Sequence, residues 1–370
     1  MKKNFFILCF AVISLSVTWA QPPNDDLHSM PEYVHNSHRK IIRIPDIQGF
    51  HTLKCDLHTH TVFSDGNVWP TIRINEAWQD GLDAVAITDH VEYHPKQKYV
   101  VGDLNTSNTI AQEKADEIGF LLIKGTEITR KKPDGHMNAL FIQDANKIKV
   151  EKAADAVEEA YRQGAVIMLN HPGWPDNKST MDTMHIRFMK EGKIKMVEVF
   201  NSKSFYPKVV GWMNEYNLAP AASSDIHDLI SHRHPADTDI RPMTLVLAKD
   251  RSLEGIKEAL LAKRTLAFFN QNIVGQKEWV QALFEACLPI KMVVDNKKKK
   301  RYTFEICNNS DIGFVLKTKN GTEILLRPNS IYRMNIGYKS LDTTYEVMNA
   351  HIDINTHLVT RLPFAKALHK

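Results

Sequence analysis

The sequence predicts an α/β domain built on a parallel sheet, open or closed into a barrel, followed by a smaller antiparallel β domain. From about residue 50 to 270, short and strongly apolar runs alternate with amphipathic stretches, the pattern of repeated βα units whose strands are buried on both faces. After Asn270 the alternation changes to closely spaced runs of period two, the texture of strands joined by hairpins. A chain of 370 residues, 43% hydrophobic and 24% charged, is globular in composition and long enough for one large core with a smaller companion.

Residues 1–20 read as an export signal: Lys2 and Lys3 lead, an apolar run from Phe5 to Val17 follows, and Thr18-Trp19-Ala20 offers small residues for cleavage before Gln21. The expected setting is therefore a periplasm or the extracellular space. That run is too short for a relaxed membrane span, and no later stretch is long and apolar enough to make one. Segment 21–48 leads into the large domain, 49–272. Its strand candidates are "TLKCDLH", "LDAVAIT", "FLLIKGTEI", "MNALFI", "AVIMLN", "MVEVFN", "LAPAASS" and "MTLVLA". Among the helix candidates, "PTIRINEAWQDG" has Pro70 in its first turn and Gly81 as a stop. "VEKAADAVEEAYRQG" ends on Gly164, and "SLEGIKEALLAKR" begins on a Ser cap.

The last domain, 273–370, opens with helix-like "GQKEWVQALFEAC" and continues as short strands, with "KNGT" as a hairpin turn. Its length suits a small β-sandwich. The run Lys297 to Arg301 falls between two of these strands and reads as a solvated turn that keeps a sheet edge from pairing. With 47 basic residues against 43 acidic ones, net charge gives no nucleic-acid signature, and no such partner is expected. Cys55 lies inside an apolar strand and reads as a small buried residue, whereas Cys287 and Cys307 could pair in an oxidising compartment.

Polar residues gather where the strands end. His58 and His60 close the first strand, with Asp65 in the loop after it; Asp89 and His90 close the second, and Glu127 the third. His136 precedes "MNALFI", His171 follows "AVIMLN", and Asp225 and His227 follow "LAPAASS". Nearly all thus map to the carboxyl edge of a parallel sheet, where βα loops converge. Alternate residues on an extended segment face one side, so His58 and His60 can present both rings to one ion, a spacing that Asp225 and His227 repeat. Imidazole mixed with carboxylate suits zinc, manganese or iron better than magnesium or calcium. Arg233 and Arg130 lie on loops beside these positions, where a guanidinium could meet a phosphate, and Trp174, Asn170 and Asn201 could line the same pocket.

"DLHTHTVFSDG", "AITDH", "GTEI", "GHMNALF", "NHPG" and "SSDIH", in this order, resemble the motifs of the polymerase and histidinol phosphatase (PHP) family of metallophosphoesterases over about 220 residues. The resemblance implies a distorted (β/α)7 barrel. It also implies one ion on His58, His60 and Asp225, a second on His136 and His171, a third on Asp65, His90 and His227, and Glu127 bridging the first two. Paired ions can hold a hydroxide and offset charge on a phosphoryl group, so hydrolysis of a small-molecule phosphate mono- or diester is the expected reaction, with Glu127, Asp225 and His227 carrying it. An amidohydrolase also opens on an HxH strand, but that class usually places a bridging Lys where Glu127 stands here. A non-catalytic metal-containing binding protein is a further alternative, although lost ligands would be its sign and none is missing.

Overall fold

The computed structural model describes residues 39–235 and 240–368; the expected export signal lies outside them. Strand β1 (His51–Asp56) runs parallel to β2 (Ala84–Ile87), and β2 to β3 (Leu121–Thr129). β4 (His136–Leu140) turns back, antiparallel to both β3 and β5 (Val166–Leu169). β6 (Ile194–Asn201) continues parallel to β5, with the two-residue β7 (Ser204–Phe205) folded back on its end and β8 (Ala219–Ser223) parallel on its far side. β9 (Met243–Ala248) is antiparallel to β1 and to β10 (Thr265–Phe269). Seven of these strands, β1, β2, β3, β5, β6, β8 and β10, point the same way, and with the reversed strands β4 and β9 they form a distorted (β/α)7 barrel.

The distortion is concentrated at one seam. Among the described residues β8 ladders only with β6, and side chains cross the gap to β9 and β10. Thr244 Oγ1 accepts from the Ala222 N–H at 3.1 Å and donates to the Ala222 carbonyl at 3.0 Å, while Thr265 Oγ1 donates to the Pro220 carbonyl at 2.8 Å. Pro220 has no N–H to contribute to a ladder, which fits its place beside a seam.

The helices start and stop for local reasons. α1 (Pro70–Gln79) has Pro at its first turn, and after it Gly81, at φ +83°, lies so close to the Lys40 carbonyl that an added Cβ would stand 2.3 Å away. α2 (Thr106–Ile118), α3 (Ala153–Arg162), α4 (Thr183–Lys190), α5 (Pro207–Glu215), the short α6 (Ile230–Arg233) and α7 (Leu253–Leu261) follow. Ser252 caps α7 by accepting from the Gly255 N–H at 2.9 Å.

β11 (Asn272–Gly275) and α8 (Lys277–Cys287) lead to an antiparallel β region. Here β12 (Ile290–Asn296), β13 (Arg301–Asn308) and β16 (Ser330–Gly337) form a three-stranded sheet. β14 (Phe314–Lys317), β15 (Glu323–Leu326), β17 (Thr344–Asp353) and β18 (Thr356–Arg361) extend the barrel's own sheet through the parallel pair β11–β17. One buried apolar cluster joins Leu245, Leu266, Phe268 and Ile273 of the barrel to Phe284, Phe304, Phe314 and Val347 beyond it. The Lys297 to Arg301 run is the exposed turn between β12 and β13. Cys287 and Cys307 are free thiols rather than a disulfide, and Cys55 is buried in β1.

Candidate metal centre

Strand ends that are not neighbours in the sheet are tied together at the carboxyl rim. Beyond β1 and β8 the two segments meet in a parallel bridge at Thr59 and Ile226, and the Asp225 N–H donates to the His58 carbonyl at 2.9 Å while the His60 N–H donates to the Ile226 carbonyl at 3.1 Å. Two buried arginines brace this junction. Arg73 of α1 donates to the His60 carbonyl at 2.8 Å, to the Ile226 carbonyl at 3.3 Å and to the Asp228 carbonyl at 3.0 Å, with Glu76 at 2.7 Å balancing its charge. Arg241 lies 2.5 Å from Asp56, whose carboxylate also accepts from the backbone N–H groups of His58 and Ser224. The HxH and DxH turns are thereby held at fixed spacing.

His136 shows why chain direction matters. It opens β4, but β4 runs antiparallel, so the start of that strand lies opposite Thr129 at the end of β3 and on the same rim as the other residues.

The structure brings all nine sequence-predicted ligands into one group of overlapping sets: His58, His60 and Asp225; His58, Glu127 and His171; His90, Glu127 and His136; and His60, Asp65, His90 and His227. Asp225 Oδ1 lies 3.3 Å from His58 Nε2 and 3.1 Å from His60 Nε2. Glu127 Oε1 lies 3.3 Å from His58 Nε2, 3.2 Å from His136 Nδ1 and 3.4 Å from His171 Nε2. Asp65 Oδ1 lies 3.3 Å from His90 Nε2 and 3.1 Å from His227 Nε2. Glu127 is wholly buried and central, whereas Asp65 and His227 reach the mouth.

The charges shape one another. Burial alone would depress the His58 and His171 imidazoles, but the carboxylates around them, Asp225, Glu198 and Glu127, lift both above their ordinary value. His90 is likewise raised, to about 10, by Glu127 and Asp65 against the effect of burial. His60 goes the other way, to about 4, because burial and the neighbouring His90 and His227 outweigh Asp225. Asp65, Glu127 and Asp225 stay ionised despite burial, held well below the usual carboxylate range by the histidines.

This donor set fits divalent cations. His58 Nε2 and His60 Nε2 face each other at 3.1 Å, and two buried oxygens, Asp65 Oδ1 and Glu127 Oε2, accept no hydrogen bond among the described residues. His90 Nδ1 is only 2.6 Å from Glu127 Oε2, yet its hydrogen bond goes to Thr129 Oγ1 at 2.5 Å and leaves that oxygen unsatisfied. Buried oxygens and ring nitrogens converging without partners are what a cation would satisfy.

Beneath the nine residues lies a supporting layer in which the sequence reading missed Glu198 and Asn138, and to which Asn170 belongs rather than to the lining of the pocket above. Glu198, wholly buried on β6, sits 3.0 Å from His58 Nδ1 through Oε1, and its Oε2 accepts from the His171 N–H at 2.8 Å and from Asn201 Nδ2 at 2.9 Å. That contact turns His58 Nε2 toward the cluster. Asn170 Nδ2 donates to Glu127 Oε1 at 2.8 Å and to Asn138 Oδ1 at 2.9 Å. The one available signal was an acid inside an otherwise apolar strand, "MVEVFN".

Above the cluster opens a pocket of about 800 Å³. Trp174 lines it, 56% exposed, with its ring 5.2 Å from that of His136. Asn201 lines it too and donates to Asp225 Oδ2 at 3.2 Å. Arg233 reaches it from α6. Arg130 lines it as well, but its guanidinium is engaged by the Glu92 carboxylate and by the Val150 carbonyl at 2.7 Å.

The sequence profile of the PHP domain matches residues 56–232. A two-domain protein from Bacteroides vulgatus containing a predicted PHP-like metal-dependent phosphoesterase is 37% identical, over 89% of this chain and 99% of that one, with a TM-score of 0.84. An uncharacterized protein of Methanocaldococcus jannaschii is 29% identical over 139 residues, which are 34% of this chain; the match spans 62% of that relative's length.

Proposed function

The chain belongs to the PHP domain family, and on that premise we propose that it is a metal-dependent phosphoesterase, cleaving a phosphate mono- or diester in the pocket above the cluster. The observation that carries the reading is the convergence of six histidines and three carboxylates in one cluster, all of them but the fully buried His58 and His60 lining that pocket. His58, His60 and Asp225 would hold one divalent ion, His136 and His171 with Glu127 a second, and Asp65, His90 and His227 a third. Zinc, manganese or iron, when bound, would lower the pKa of water toward neutrality and offset phosphoryl charge.

The chain's own residues do the positioning. Glu127 and Asp225 keep fixed negative charge at the buried end of the pocket, oriented by Asn170 and Asn201. Trp174 walls the side next to His136 and His171, so an ester entering there is held against the floor. Export, expected from the leader, belongs to the same proposal; cell fractionation that finds the protein only in the cytoplasm would refute that part.

Metal analysis of the purified protein should find two or three ions per chain, and a panel of phosphate mono- and diesters assayed with zinc and manganese should reveal turnover. His58→Ala and Glu127→Ala should abolish that turnover while leaving the protein soluble. Near-normal rates in either variant, or full activity in metal-free protein, would overturn the assignment.

A further inference from the structure

We propose that the substrate carries a second anionic group, a phosphate or carboxylate a few bonds from the scissile ester, and that Lys131, Lys203 and Arg233 receive it. The proposal rests on the phosphoesterase reading and names its substrate class.

All three cations line the pocket, and they come from three different rim segments, the loops after β3 and β6 and the short α6 after β8. Among the described residues none of their side chains has a hydrogen-bond or ion-pair partner. Cations close by are engaged: Lys132 Nζ pairs with Asp176 at 2.5 Å, and Arg130 is taken up by Glu92 and the Val150 carbonyl. The pocket's acids offer the three no relief. Glu92 is held by Arg130 and by the Thr129 N–H at 2.7 Å, Asp228 accepts from Asn67 Nδ2 at 2.6 Å, and Asp65, Glu127 and Asp225 face the histidines.

The pocket is therefore divided. Its floor takes the ester phosphate, and Lys131, Lys203 and Arg233, which have no counter-ion among the described residues, would bind a second anion through charge-assisted hydrogen bonds. Beside His136 and His171 the exposed face of Trp174 gives the same pocket a flat apolar surface for whatever joins the two anionic ends. A volume of about 800 Å³ is that of a site for a whole small molecule and far exceeds what one phosphate group fills.

Calorimetric titration of the metal-loaded protein with ethylphosphonate, phosphonopropionate and propane bisphosphonate tests this without requiring turnover. One or both of the probes with a second anionic group should bind at least about tenfold more tightly than ethylphosphonate, and which one does so separates carboxylate from phosphate. In the triple variant Lys131→Ala, Lys203→Ala, Arg233→Ala that preference should collapse to less than about twofold. Equal affinities in the unsubstituted protein, or a preference that survives the triple substitution, would overturn the proposal. Failure of the phosphoesterase reading shows separately, as absence of turnover on any ester.

Discussion

At the scale of single residues, the cluster depends on donors as much as on ligands. Both oxygens of Glu198 lie against donors, Oε1 at His58 Nδ1 and Oε2 at the His171 N–H. Glu198→Gln keeps shape but turns an NH₂ group toward one of those donors. It should weaken metal binding by roughly 10–100-fold, the usual loss when a partner that orients a ligand is removed. Competition against a chromophoric chelator measures this; unchanged affinity, with only a lower melting temperature, would reduce Glu198 to a packing role. The candidate ligands were legible because all but Asp65 fall beside a strand end and their types repeat. Glu198 was not, since a single acid inside a buried strand shows neither which face it takes nor what it meets. Trp174 was ambiguous in sequence for a related reason: flanking prolines say nothing about which side of a loop faces a pocket.

At the scale of elements, the sequence showed which segments are strands but not their direction, and direction put His136 on the rim. Nor did it show the seam, because a threonine in "MTLVLA" reads as an ordinary β-branched strand residue. Thr244→Val preserves that shape and removes both bonds to Ala222 in a fully buried setting, so it should cost about 1–3 kcal/mol. Urea unfolding reads the cost, and a change below about 0.5 kcal/mol would mean the seam closes by packing alone. A second element-scale test concerns β17. Burial and the neighbouring His357 push His351 down from 6.5 to about 4. The folded state therefore resists protonation that the unfolded chain accepts, so stability contributed at neutral pH is lost as pH falls from about 6.5 towards 4. His351→Gln should flatten that slope relative to the unsubstituted protein; parallel curves of urea midpoint against pH would count against it.

For the whole molecule, composition and the change of texture after Asn270 suggested two parts, and the chain does change from α/β to antiparallel β there. What the sequence could not show is how far they share an interior, since apolar residues of either part look alike whether they pack within it or across. Leu245, Leu247, Leu266, Phe268 and Ile273 belong to the same buried cluster as Phe284, Phe304, Phe314 and Val347. Baring the first five by ending the chain at Gly275 would forfeit roughly 1.5–3 kcal/mol for each fully re-exposed side chain. That sum rivals the 5–15 kcal/mol by which a whole domain is typically stable. The expectation is that residues 39–275 alone aggregate or melt without a cooperative transition, even though every proposed metal ligand is retained. Gel filtration and thermal circular dichroism decide it. A monomer with a cooperative melt would show that the barrel folds by itself and that the β region is a separable attachment.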